Sequence, residues 1–198
     1  MNYNISKIDM QIEFMCISNS NNEDIYFWSK NNLSINKYIL DLIAIKSIIK
    51  TENIFYQINR TQLKICGIKK NDLIFIIAGS TDLQFQLLEA LIEEFIENFF
   101  VNYNDIYKSF SAGFNDPLNI LNKTLLNIIN NIKDYVKFSR VSCKACKKDL
   151  EIFIKKSLIE KSQKFPVSLV YIHEGHGLLL FIDKNFVVRG AEIVDISG

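Results

Sequence analysis

Net charge is almost missing from this chain: lysine plus arginine (23) barely exceeds aspartate plus glutamate (22). No global field therefore draws it to nucleic acid, acidic substrates or an anionic membrane, and any partner must be recognised by a local surface. No stretch approaches the roughly 18 consecutive apolar residues that a membrane-spanning helix requires. The opening MNYNISKIDMQIEF lacks both the apolar core of a signal peptide and the arginine-rich helix of a transit peptide, so a cytoplasmic location is expected. Histidine is confined to His173 and His176. Residues 1–140 contain no phosphate-cradling glycine loop and no G-x-S-x-G elbow. Phosphate-loop and serine-hydrolase chemistry thus lack their residues there. Four cysteines (Cys16, Cys66, Cys143, Cys146) in a reducing compartment are expected as thiols or ligands, not disulfides.

What is present is a large apolar fraction, 48%, enough to bury a core. In IDMQIEFMC, Ile8, Met10, Ile12, Phe14 and Cys16 alternate with Asp9, Gln11 and Glu13, predicting a strand with one buried and one wet face. The polar cluster SNSNNED turns the chain into a returning strand over 24–30. Ser34 caps a predicted helix that places Ile35, Tyr38, Ile39, Leu42, Ile45 and Ile49 on one side. Strands follow at 54–60, 62–68 and 72–79. In the middle one, Leu63, Ile65 and Gly67 alternate with Lys64, Cys66 and Ile68, which leaves its buried face open.

Ser80-Thr81-Asp82 then caps a long helix with a seam of Leu83, Leu87, Leu91, Phe95 and Phe99. Its carboxylates Glu93, Glu94 and Glu97 are expected to form a wet face, not a catalytic pair. Asp116 and Pro117 open a further helix expected to run to about residue 138.

The order of elements over residues 8–138 resembles a longin domain, an α-β-α sandwich related to roadblock proteins and found in SNARE-like trafficking proteins. The strand DLIFIIAGS running into the Asp82 helix and the aromatic tail NFFVNYNDIYKSF carry the likeness. The resemblance implies an α/β (α+β) fold with a five-stranded antiparallel sheet over 1–140. It also implies no enzymatic activity, and a platform for protein contacts with a small GTPase or another longin or roadblock chain, in GTPase regulation or vesicle trafficking. A homodimer and peripheral membrane association are compatible with it; a transmembrane segment and a specific nucleic-acid partner are not expected.

Residues 141–198 read as a small β-rich CxxC/HxxH module. VSLVYI and LLLFI flank HEGH, and a last turn is expected at Asp183-Lys184-Asn185. If Glu174 and Gly175 centre a two-residue hairpin loop, His173 and His176 face each other across it. Joined to Cys143 and Cys146, they would make two thiolates and two imidazoles, a set suited to structural zinc. The segment also resembles a zinc-ribbon-like tail of archaeal type with a C-x-x-C knuckle, an FPV–VYIH strand and an IDKNFxVRG hairpin. Other readings of the pair stay open: a redox motif, for which the cysteines should open a helix after a strand, or thiols without a ligand. A zinc-dependent enzyme with Glu174 as general base, and a nucleic-acid-binding ribbon using Lys147, Lys148, Lys155, Lys156, Lys161 and Lys164, are the alternative functions.

Overall fold

A computed structural model describes residues 11–112 and 117–195. Ile8, Met10 and Asp116 lie outside the described residues. The chain divides into two compact units, Asn4–Ile132 and Lys133–Gly198. Both are built on antiparallel strands, giving a mixed α+β protein.

In the first unit, strands β1 (Ile12–Ser18), β2 (Asp24–Ser29), β3 (Phe55–Asn59), β4 (Leu63–Lys70) and β5 (Leu73–Ser80) form one sheet in the order β2-β1-β5-β4-β3. Every pairing is antiparallel. Helix α1 (Ile39–Ile48) lies against one face, where Tyr38, Leu42, Ile45 and Ile49 pack on Phe14, Cys16, Ile65, Ile74, Ile76 and Ala78. Helix α2 (Phe85–Ala112) covers the other face, with Phe75 edge-on to Phe99 at 5.5 Å and Tyr26 stacked on Phe95 at 6.1 Å. The Leu83, Leu87, Leu91, Phe95 and Phe99 seam is buried along its length. Each such side chain contributes about 1.5–3 kcal/mol of burial, set against the entropy of fixing the chain. Helix α3 (Pro117–Asn130) packs on α2, and the Tyr26 hydroxyl donates to Asn122 at 2.9 Å.

Covering both faces explains where the expected pattern departs from the structure. Met15 and Ile17 are as buried as Phe14 and Cys16, so β1 has no wet face beyond Glu13. In β4, Ile65 joins the α1 side, whereas Cys66 pairs with Ile77 and is buried with it on the α2 side. Two glycines mark close approaches. A Cβ on Gly67 would sit 2.6 Å from Ile49 Cδ1, and one on Gly79 would sit 2.4 Å from Leu83 Cδ1 and 2.9 Å from the Gln11 carbonyl oxygen.

Boundaries also differ. Ser34 accepts from the Asn36 N–H at 3.3 Å, but it opens a 3-10 turn over Ile35–Tyr38, and α1 proper starts at Ile39. Helix α2 starts at Phe85, so Asp82 stands too early to be its N-cap. Helix α3 ends at Asn130, not near 138, because YVKFSRVS contributes a strand, β6 (Val136–Ser142). Residue 140 therefore falls inside β6, and the division between units comes after Ile132.

The second unit pairs β6 with β7 (Asp149–Lys155). After the short helix α4 (Lys156–Glu160), strands β8 (Val167–His173), β9 (His176–Ile182) and β10 (Val188–Val194) form a three-stranded sheet with β9 central. Leu178, Leu180 and Ile182 of β9 pack with Leu150, Ile152, Ile154 and Cys143 to make this unit's own core. Asp183 fixes the β9–β10 turn by accepting the N–H groups of Asn185 and Val187 at 2.8 and 3.0 Å.

Candidate functional site

The cysteine pair occupies the loop joining β6 to β7, between the terminal partners Ser142 and Asp149. It thus follows a strand, where a helix was expected, and the chain after Cys146 enters β7 without forming a helix. That arrangement lacks the helix onset a thioredoxin-like redox motif uses. The loop is closed by its backbone: the Cys143 N–H donates to the Lys148 carbonyl at 2.9 Å and the Lys147 N–H to the Cys143 carbonyl at 2.7 Å. Lys147 takes a left-handed conformation, φ 60°. The Cys146 N–H beside the Cys143 sulfur holds that thiol below its usual range against the opposing pull of burial, and the Ala145 N–H assists. A sulfur so supplied with donors favours the thiolate, the metal-binding form.

The histidines arrive on the β8–β9 hairpin. His173 and His176 are its last cross-strand pair, and Glu174 and Gly175 make the two-residue turn with φ 46° and 80°. Two positive φ values in succession match the type I′ turn expected of such a loop. The ring centroids stand 6.2 Å apart.

Loop and hairpin meet at their tips. Cys143 Sγ lies 3.7 Å from His176 Nδ1, and Cys146 Sγ lies 3.4 Å from His173 Nε2. For bonds of about 2.3 Å to sulfur and 2.0–2.1 Å to nitrogen, the S···N edge of a tetrahedron is about 3.6 Å. The ligand atoms of Cys143, Cys146 and His176 all fall within 4.8 Å of one another, so these three residues could hold a metal ion. His173 borders the same cluster through Cys146, and it also groups with Cys146 and Glu174.

Sequence pattern alone missed two features here. Lys148 Nζ donates to both oxygens of Glu174, at 2.7 and 2.8 Å, and holds the carboxyl below its usual range. The two residues are 26 positions apart, with no periodic signal to join them.

The second feature lies in the first unit. Helix α1 carries ILDLIAIKSI, and after its inner side is buried its outer side still presents Ile39, Leu40, Ile43 and Ile48 at 41, 77, 58 and 40% exposure. The signal was available in the sequence, since seven of the ten residues in ILDLIAIKSI are apolar and one buried face cannot take them all. Exposed Lys37 and Lys50 flank this stripe.

The remaining cysteines are not site residues. Burial pushes the Cys16 thiol up to about 12, with its hydrogen bond to Asp24 adding to the effect, so it is no nucleophile near neutral pH. Cys66 is buried in the sheet. Of the α2 carboxylates, Glu97 is exposed and Glu94 is half-buried. Burial raises Glu94 despite the Asn98 amide donating to it at 2.7 Å. No helix among the described residues is long and apolar enough to cross a membrane.

No protein-family model matches the chain, and no curated protein matches it. Among solved structures it is similar to "Crystal Structure of MglC from Myxococcus xanthus", at 14% identity and a TM-score of 0.30, over 40% of this chain and 79% of that one.

Proposed function

We propose that this chain is a non-catalytic protein-interaction protein of longin type: its first unit docks a partner, and its second folds around one structural zinc ion. The observation that carries the docking reading is the outer face of α1, four aliphatic side chains left to water. Covering a largely exposed leucine or isoleucine gains about 1–2 kcal/mol, so the stripe offers a partner several kilocalories before binding costs. A five-stranded antiparallel sheet between helices is the scaffold the longin resemblance implies, and it supports a cytoplasmic small GTPase or another longin or roadblock chain as the partner class.

Zinc is the metal that two thiolates and two imidazoles favour in a tetrahedral set. Cys143, Cys146, His173 Nε2 and His176 Nδ1 would be its ligands. Four protein ligands leave no position for a reactive water, which supports a structural role over zinc-dependent catalysis. Such an ion would clamp the β6–β7 loop to the β8–β9 hairpin. The test is direct binding of the purified full chain to the host's small GTPases, in both nucleotide states, and to its longin and roadblock chains. Binding lost on Leu40→Lys or Ile43→Lys is expected; no binding to any member of these classes contradicts the partner assignment.

A further inference from the structure

Glu174 stands where a turn of this shape favours asparagine or glycine, since its φ is 46°. A residue kept against its conformational preference invites a question about its side chain. That side chain ends beside the ligand cluster. Glu174 Oε2 lies 3.7 Å from His173 Nε2, and the ligand atoms of Cys146, His173 and Glu174 all lie within 4.8 Å of one another. A cation about 2.0–2.3 Å from Cys146 Sγ and His173 Nε2 would have a carboxylate oxygen within easy reach. The tips therefore hold two overlapping three-residue groups that share Cys146, five residues in all where a four-coordinate ion needs four.

Lys148 resolves the surplus. It sits two residues after Cys146 and its carbonyl closes the cysteine loop, so its backbone is fixed relative to the thiolates. Its ammonium engages both oxygens of Glu174, at 2.7 and 2.8 Å. With two thiolates and two neutral imidazoles a divalent ion is already neutralised. Exchanging an imidazole for the carboxylate would leave a net negative centre and strip Lys148 of its counter-ion.

We propose that Lys148 is a specificity-determining residue of the metal centre: by holding Glu174 it keeps the carboxylate out of the coordination shell and lets His173 complete a Cys2His2 set. The idea rests on the zinc reading above. Outer partners of this kind typically alter metal affinity by about 10–100-fold when removed.

The test uses the full chain reconstituted with cobalt(II), whose d–d absorption distinguishes a tetrahedral sulfur–nitrogen shell from one that has gained oxygen or a fifth ligand. The wild-type chain and Glu174→Gln are expected to share one intense tetrahedral spectrum. Lys148→Met is expected to lose band intensity and to shift its bands, because the released carboxylate enters the shell. The double variant Lys148→Met, Glu174→Gln should recover the wild-type spectrum, which loss of fold could not do. A Lys148→Met spectrum identical to wild type, a double variant that stays altered, or a changed spectrum in Glu174→Gln alone would each overturn the proposal. A wild-type chain that takes up no cobalt overturns the zinc reading itself, and this inference with it.

Discussion

Stripping the metal from the full chain with a chelator should unfold the Lys133–Gly198 unit and leave the Asn4–Ile132 unit standing. A unit of that size falls below the ~70–80 residues at which a hydrophobic core supplies more than about 3–5 kcal/mol. Ligand linkage sets what the ion adds: at free zinc about 1,000 times the dissociation constant, the folded form gains about 4 kcal/mol. Loss of about 4 kcal/mol removes most or all of such a margin, and on a unit this small it lowers the melting temperature by about 15–30 °C. The two units can be read separately in one sample. The chain has a single tryptophan, Trp28, on β2 of the first unit, so its fluorescence reports that unit alone. Amide hydrogen exchange over β6–β10 reports the other. Chelation, Cys143→Ser and His176→Ala should each accelerate exchange across residues 136–194 while the Trp28 transition stays in place. Exchange in β6–β10 that is the same with and without chelator, on protein verified to carry zinc beforehand, would refute the coupling.

Other consequences concern the first unit. Asp24 accepts from Ser18 at 2.6 Å and from Cys16 at 3.1 Å and pairs with Lys46, whose side chain is only 10% exposed. Burial opposes its charge, yet the Lys46 hydrogen bond and then those of Ser18 and Cys16 prevail and hold the carboxyl below its usual 3.8. With the folded value depressed, its contribution is complete above that pH and is lost as pH falls through the lower value. Asp24→Asn should cost about 1.5–3 kcal/mol at pH 7 and flatten that part of the acid transition, followed by Trp28 fluorescence. In denaturant melts, Gly79→Ala should cost about 1–3 kcal/mol, more than Gly67→Ala, because at Gly79 the new methyl meets the fixed Gln11 carbonyl, whereas at Gly67 it meets the movable end of Ile49. Leu40→Lys should shift stability by no more than about 0.5 kcal/mol, since Leu40 is 77% exposed, while it abolishes partner binding.

Local chemistry made much of this fold legible before any coordinates. The α2 seam follows from apolar residues recurring every four positions, and the His173–His176 pair from a Glu-Gly turn between two apolar strands. What sequence could not carry was the depth of cover. The Ile8–Cys16 alternation implies a half-wet strand because polar spacing alone carries no sign of a helix on the far face, and the β4 pattern is ambiguous for the same reason: both its faces are covered. IKDYVKF continues a helical spacing of apolar residues, yet pairing of Val136–Ser142 with β7 prevails over that local preference and ends α3 earlier. Of the candidate site, Cys143, Cys146 and His176 come together, and His173 reaches them only through Cys146. The Lys148–Glu174 contact joins residues whose proximity exists only once two hairpin tips meet.

X-ray absorption at the zinc edge on the purified full chain tests the centre most directly. One zinc per chain with two sulfur scatterers near 2.3 Å and two nitrogens near 2.0–2.1 Å is the expected shell. A chain that carries no zinc when purified without chelator, or a shell dominated by oxygen, would contradict it.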